Sequence, residues 1–543
     1  MGYSSAVGRD GREPIITRRQ LLGGMAAAGV GLMLPRGMRA APIEAQLQAA
    51  DGLSGSRTTD VVIVGAGLAG LSAARALTAK GVNVVVLEAR GRVGGRTLSY
   101  VLSDGRIIDV GGQWIGPLPG QIAQATFPTQ AIYRPQEHVY KLAKTLGVRT
   151  FHTYDTGEYV DYSNGVRTTY GGSRIPSDAG AFNAGQTLYR LNQMASQVDP
   201  THPWETPSAH QAMVWDAQTV ETWMRQNMVP PDQDPYSPTY SLATLAVESV
   251  TGPCEPRDVS LLDLLFGIAS AGNLDNMINT SAGAQDSRFV GGAQLLSINL
   301  AQPLGNHVVI NAPARKISQQ GGRVVVSGDD FSVTGRAAIV AIPPTLTGRL
   351  VYDPPMASFD GGRRDQLVQR TPMGSTIKVQ AFYPKPYWRS MGLTGQATSD
   401  IGPIKVTFDN TPFTTDQATT DGNNVTPGVL VGFMDAGEAR TWGLRTMAER
   451  RAATFAVFDR LFPGGPAPTG YIEMNWSLEQ YTGGCFSAYL GPGVWTSFGK
   501  ALKQPIGLIH WAGTDVSPVW NGYMDGAVWS GEQTAAEVMA QLR

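Results

Sequence analysis

The sequence predicts an α/β protein of two domains, one of them of Rossmann type and the other a mixed sheet with helices. Three observations predict it. A strand, a glycine-rich turn, a helix and a second strand follow one another between Asp60 and Leu87. The chain has 543 residues, too many for a single hydrophobic core. Its 65 glycines and 35 prolines, with 42% hydrophobic and 16% charged residues, describe a loop-rich globular enzyme and not a helical bundle.

The stretch from Asp60 to Thr97 organises the rest. Val61 to Val64 is a continuous β-branched run, suited to a strand buried on both faces. Gly65, Gly67 and Gly70 come directly after it. The first allows the tight turn, the second lets the backbone approach a pyrophosphate, and the third lets the helix pack close to the sheet. Leu68, Leu71, Ala74 and Leu77 recur at helical spacing, Gly81 ends the helix, and Val82 to Leu87 makes the next strand. The helix N-terminus offers free N–H groups and positive dipole to phosphates. Glu88 stands at the tip of the second strand, where a carboxylate accepts ribose hydroxyls. The glycine spacing alone is weak evidence; strand, helix, second strand and acid in this order are strong.

The residues beyond Glu88 narrow the reading. Ala89-Arg90 and Gly94-Gly95-Arg96-Thr97 resemble the flavin amine oxidase (monoamine oxidase-like) family. The resemblance implies FAD, with Arg90, Gly95 and Arg96 against its pyrophosphate, and an FAD domain interleaved with a substrate domain.

The first 41 residues are expected to lie outside the fold. Thr17-Arg18-Arg19-Gln20-Leu21-Leu22 resembles a twin-arginine export signal, Leu21 to Leu34 is a weakly apolar run too short for an anchor, and Met38-Arg39-Ala40-Ala41 offers a cleavage site. That route carries folded proteins with cofactor inserted, so the machinery for exporting folded proteins is an expected partner and the periplasm or exterior the expected location. A disordered basic leader without an address is the plainer alternative. Cleavage removes six arginines and two acids and takes the net charge from −1 to −5, which gives no reason to expect nucleic acid. Residues 42–57 read as a linker.

The FAD domain is expected over 58–155, 289–370 and 478–543, and the substrate domain over 156–288 and 371–477. Asp109-Val110-Gly111-Gly112-Gln113-Trp114 resembles the family segment beside the flavin ring, which brings in Gly112, Gln113 and Trp114. Residues 117–138, with four prolines, look like an insertion: a surface loop, or a lid over the substrate entrance. From about 156 to 288 the pattern is mainly helical, and Trp215, Trp223 and Leu261 to Ile268 look like core. Gln285 and Ile278 align with family positions lining the substrate cavity. Phe289-Val290-Gly291-Gly292 resembles the return to the FAD domain. Short strands over Val308 to Ile310, Ala314 to Ile317, Arg323 to Val326 and Ala337 to Ile342 come next, and Ala314 is assigned to the adenine end of FAD by the resemblance.

Three further stretches carry chemistry. Lys378, in Gly374-Ser375-Thr376-Ile377-Lys378, would from pattern alone be a solvated strand lysine. The resemblance makes it the residue that holds a water at flavin N5 and serves the reaction with oxygen. Cys485, in Tyr481-Thr482-Gly483-Gly484-Cys485-Phe486, has three readings: a buried inert thiol, a disulfide to Cys254, or the thioether to the flavin that the resemblance implies. Trp476 lies upstream in the same match. Thr514 and Asp515 of Trp511-Ala512-Gly513-Thr514-Asp515 would contact FAD, with Asp where the family usually has Glu. Met524 opens a helix, beginning near Gly522, whose N-terminus stabilises negative charge on the reduced ring. Tyr523 and Phe486 would form an aromatic cage for an amine; simple core packing is the alternative for each.

Two cysteines and scattered histidines offer no metal site, and none is expected. No C-terminal spanning helix is present in the sequence given, so no transmembrane anchor is expected in the mature chain, and a homodimer is an open possibility. The expected function is FAD-dependent oxidation of a primary or secondary amine, an apolar or aromatic monoamine, by O2 to an imine and hydrogen peroxide. An amine dehydrogenase passing electrons to a periplasmic carrier, an L-amino acid or polyamine oxidase, and a non-catalytic flavoprotein are the alternatives.

Overall fold

The computed structural model describes residues 30–34, 40–42, 50–121, 134–171, 179–228, 238–250, 252–412 and 427–543. Residues 17–22 and the middle of the 117–138 insertion lie outside them.

Val61–Val64 forms β1, Leu68–Thr78 α1 and Val84–Leu87 β2. The helix stops three residues before Gly81, and the second strand begins two residues later than the sequence suggested, after a turn through Gly81 at φ +76°. β1 and β2 are the centre of a six-stranded sheet in the order Ile509–Trp511, Ala337–Val340, β1, β2, Val308–Ile310, Ala50–Asp51, parallel throughout. The unbroken apolar runs have a simple cause. Val61 and Ile63 point into one core with Leu71 and Leu77 of α1, while Val62 and Val64 point into a second core with Ile317 and Val326 of the neighbouring antiparallel sheet. Each such side chain, fully buried, contributes roughly 1.5–3 kcal/mol.

A second sheet has eight strands. Glu158–Ser163 (β3), Val166–Tyr170 (β4), Thr376–Tyr383 (β5), Leu393–Ser399 (β6) and Gly428–Asp435 (β7) join Val30–Met33, Val406–Asp409 and Gly470–Asn475. β5 lies inside, between β7 and Gly470–Asn475, and all eight of its residues are buried. β3 pairs in parallel with β6. The strands of the two sheets therefore alternate along the chain.

Two expectations need correction. The stretch after 156 opens with the β3–β4 hairpin, not a helix; the helices begin at Ala179. Asn164 and Gly165 both take positive φ, 52° and 77°, at the hairpin tip, a pair that favours a two-residue turn. Part of the expected leader is also paired: Val30–Met33 lies antiparallel to Gly470–Asn475, and Ala40–Pro42 to Ser99–Leu102. A sheet edge carries unpaired N–H and C=O groups, and extended chain nearby satisfies them.

Leu261–Ala271 (α2) starts at Ser260, whose side chain accepts from Asp263 N, and packs with Trp215 and Trp223 in the largest helical core. Met524–Leu542 (α3) packs beside α1 in the same core as β1. Among the described residues no helix is long and apolar enough to cross a membrane.

Candidate active site

One cavity is lined where the parallel strands end. Gly65 and Gly67 follow β1, Glu88 follows β2, Ala341 to Pro343 follow Ala337–Val340, and Gly513 and Thr514 follow Ile509–Trp511. Ligands of open parallel sheets bind at this edge. From there the lining runs through Arg90, Gly95 and Arg96 to Gly112, Gln113, Trp114, Trp476, Cys485 and Phe486, and on to Lys378, Tyr523, Met524 and Gln285.

The loop is built for close approach. Gly65 has φ +102°, and a Cβ on Gly70 would stand 2.0 Å from the Gly65 carbonyl oxygen. Gly70 therefore lies beneath the loop and not on the cavity wall. The α1 N-cap, Gly67, has no side-chain cap, so the first-turn N–H groups are left for a ligand. The Glu88 carboxylate accepts from Ala66 N at 2.8 Å and Arg90 N at 3.0 Å. Arg90 also reaches Thr482 and pairs with Glu479 at 3.3 Å, which ties the loop to the Cys485 segment.

Arg96 donates to Asp515 through both terminal nitrogens, at 3.1 and 2.6 Å, and to Phe486 O at 2.8 Å. Asp515 also accepts from Ala488 N at 2.8 Å. Asp515 is consequently taken up by protein donors and is absent from the cavity lining, in contrast to the direct contact expected of it. Thr514 donates to Tyr523 O at 2.7 Å, which seats the N-terminus of α3 at the cavity.

Cys485 and Cys254 are both buried and form no disulfide. Burial pushes the Cys485 thiol up to about 12, with Arg96 pulling the other way. Phe486 meets Phe433 edge-on at 5.9 Å, and Tyr523 meets Trp520 in the same way at 4.9 Å, so each ring is braced by a neighbour. Burial raises the Tyr523 hydroxyl above its ordinary value and keeps it neutral.

Lys378 is a fully enclosed lysine, against the solvated reading of its strand pattern. Its Nζ donates to Gly111 O at 2.9 Å and to Gln113 Oε1. Burial brings it down to about 7, opposed by Asp109 and assisted by Arg288. Its strand partners are Phe433 and Met474.

Two other assignments do not reach the cavity. Ile278 packs on the helical core and Ala314 beside the core shared by the parallel and antiparallel sheets; neither lines the site. Sequence reasoning also missed lining residues. Asp263 on α2 is one: its carboxylate accepts from Leu490 N at 3.0 Å and Trp495 Nε1 at 2.7 Å, and burial raises it to about 7. Phe433 and Phe266 are others, from strand and helix residues that read only as core. Gln380, Arg288 and Asn410 lie behind Gln113 and Lys378, outside the lining. Gln380 had a signal, since it stands two residues from Lys378 and so on the same strand face; Arg288 and Asn410 had none.

The residues fit the FAD that the resemblance implies. The glycine cradle and uncapped helix suit a pyrophosphate. Two buried polar atoms of the lining, Trp114 Nε1 and Gln285 Oε1, lack partners and await a ligand's acceptor and donor.

The profile of a family described as flavin containing amine oxidoreductase matches residues 68–539. A Dictyostelium discoideum protein described as a probable flavin-containing monoamine oxidase A is 33% identical, over 89% of this chain and 98% of that protein. An L-amino acid dehydrogenase of Synechocystis is 33% identical over 90% and 96%. A solved structure of wild-type putrescine oxidase bound to putrescine superposes with a TM-score of 0.78 at 30% identity, over 89% of this chain and all of that one.

Proposed function

Since this chain belongs to the flavin-containing amine oxidoreductase family and is an amine-oxidising flavoenzyme, we propose that it oxidises a primary or secondary monoamine with an apolar or aromatic body, using O2 as acceptor. One observation carries the reading: Lys378, Cys485, Phe486 and Tyr523 line the same cavity as the nucleotide loop.

Bound FAD supplies a two-electron acceptor, so that the α-hydrogen leaves the amine with its electron pair and an imine results. The imine hydrolyses to an aldehyde or ketone, and O2 takes the two electrons and two protons to become hydrogen peroxide. Phe486 and Tyr523 offer aromatic faces to the amine, each held in orientation by Phe433 or Trp520. The amine is oxidised in its neutral form, so no side chain need take a proton from its nitrogen before the C–H bond breaks. Lys378, whose Nζ is held by Gly111 O and Gln113 Oε1 in the lining, would hold a water beside the bound flavin and would serve its reoxidation. The α3 N-terminus, anchored by Thr514, favours negative charge on the reduced ring.

The apolar lining of Leu264, Phe266, Phe433 and Trp114 supports an apolar body for the substrate. Asp263 argues against a substrate carboxylate, and both its oxygens already hold N–H donors, so it does not require a second ammonium. Cys485 is the group we assign to a thioether with the ring, because its sulfur is free and in the lining. The leader we assign to twin-arginine export, on residues 17–22.

A second reading changes the acceptor to an electron carrier; a relative described as a dehydrogenase supports it. The test is anaerobic mixing of the purified yellow protein with aromatic and aliphatic monoamines, diamines, polyamines and L-amino acids. Bleaching of the flavin band by monoamines, then oxygen uptake on aeration, is expected. Bleaching by L-amino acids alone would overturn the substrate assignment, and bleaching without oxygen uptake would overturn the acceptor.

A further inference from the structure

Behind Lys378 stands a set of buried amides whose orientation is fixed from one end. Gln113 Oε1 accepts from Lys378 Nζ, and Gln113 Nε2 donates to Asn410 Oδ1 at 2.8 Å. The same Asn410 oxygen accepts from Arg288 Nη1 at 2.6 Å. Asn410 Nδ2 donates to Gln380 Oε1, and Gln380 Nε2 to Asp109 O at 3.1 Å. Gln113, Arg288, Gln380 and Asn410 are all buried, so their orientations are set chiefly by one another.

The two ends of an amide differ little in shape, and only its partners decide which way it faces. Arg288 has donors and no acceptor. It therefore fixes Asn410 with the oxygen toward it. Turning Asn410 over would set its NH2 against Arg288 and against the Gln113 NH2. Turning Gln113 over would set its NH2 against Lys378 and its oxygen against the Asn410 oxygen. Polarity thus runs from Arg288 through Asn410 and Gln113 to Lys378.

We propose that Arg288 and Asn410 are positioning residues for Lys378, holding Gln113 so that its carbonyl and that of Gly111 take two of the lysine's N–H groups and leave its remaining position to the cavity. That position is an N–H when the lysine is charged and a lone pair when it is neutral. The side chain therefore changes from donor to acceptor toward the cavity on losing one proton. The groups facing it are the Asp109 carboxylate, which favours the charged form, Arg288, which opposes it, the uncharged Cys485 sulfur, and the Trp114 ring with its centroid 5.7 Å away. Burial outweighs the carboxylate and puts the change at about 7.

The inference rests on the reading that Lys378 stands beside the flavin ring. It is tested without turnover, by titrating the visible band of the FAD-loaded oxidised enzyme from pH 5.5 to 9.5. The wild type is expected to show a midpoint that Lys378→Met lacks, whatever Asp263 contributes to both proteins. Asn410→Leu frees Gln113 to turn its NH2 toward the lysine, which disfavours the ammonium, so the midpoint falls by one pH unit or more. Gln113→Met removes the carbonyl and shifts it the same way. Asn410→Asp keeps both accepted bonds and adds negative charge, so its midpoint stays at or above the wild type. A purely structural role for position 410 would move Asn410→Leu and Asn410→Asp alike or not at all. If Lys378→Met keeps the wild-type midpoint, the placement of the lysine at the ring is wrong. If Lys378→Met loses it but Asn410→Leu and Gln113→Met do not shift, the positioning role is wrong. Should Asn410→Leu fail to fold, a fall in Gln113→Met supports the role, and a fall in Asn410→Asp overturns it.

Discussion

Arg96 and Asp515, 419 residues apart in sequence, form a two-pronged ion pair, Nη1 to Oδ1 at 3.1 Å and Nη2 to Oδ2 at 2.6 Å. Through Phe486 O and Ala488 N the pair also grips the chain on both sides of Ser487. Three segments that meet at the cavity are thus held by one charge pair.

Removing one partner of such a pair leaves the other charge enclosed without compensation. Asp515→Ala is expected to destabilise the protein by about 3 kcal/mol and to weaken FAD retention, read by urea unfolding and by flavin lost on gel filtration. Asp515→Glu should retain most of both. An unchanged unfolding midpoint in Asp515→Ala would show that the pair does not hold the segments together.

Lys378→Met is expected to retain FAD and bleach normally with amine, yet reoxidise in air at least tenfold more slowly, as followed by stopped flow. Its stability should also change with pH in a defined direction. An unfolded lysine binds its proton up to about 10.5, and the folded one only up to about 7. Between these values the unfolded state holds more protons, so wild-type stability gains from rising pH across that window. Below about 7 both forms are charged and the burial penalty is complete. The methionine variant lacks this gain, on the order of 5 kcal/mol across the window. Thermal unfolding of both proteins at pH 7 to 10 reads the difference; parallel curves would contradict it.

If Cys485 carries the flavin, wild-type protein denatured in detergent should migrate with its yellow fluorescence, and Cys485→Ser should release free FAD on the same gel. Release from the wild type would remove the thioether. The variant should still bind FAD, because Arg96, Gln113 and the glycine loop do not depend on that sulfur.

Oxidation of a neutral amine has its own pH signature. Alkylamines ionise near pH 10, like a lysine side chain. The neutral fraction then rises up to tenfold per unit below that value, and kcat/KM should rise with it. A profile flat from about pH 6 to 9 would mean that the protonated amine is the reacting species or that an enzyme base intervenes.

The sequence by itself determined the nucleotide-binding loop. Val61 to Val64, the three glycines, the helix and Glu88 are local features, each explained by neighbours within a few residues. The same holds for the apolar strand runs, because a residue buried on either face must be apolar whichever core it meets. The β3–β4 hairpin was legible too, in Asn164-Gly165, but a mainly helical pattern downstream obscured it.

Only the tertiary structure decided what surrounds Lys378. A lysine in a strand is solvated or enclosed according to the strands beside it, and the strand partners of Lys378, Phe433 and Met474, lie far downstream in the sequence. Asp515 stands at a motif position yet spends its carboxylate on Arg96, and Asp263 enters the lining from a helix whose sequence reads as core. Partners such as Arg288, Asn410 and Gln113 carry no shared sequence pattern. Hydrogen bonding between distant side chains depends on where the backbone brings them, and no local spacing encodes that.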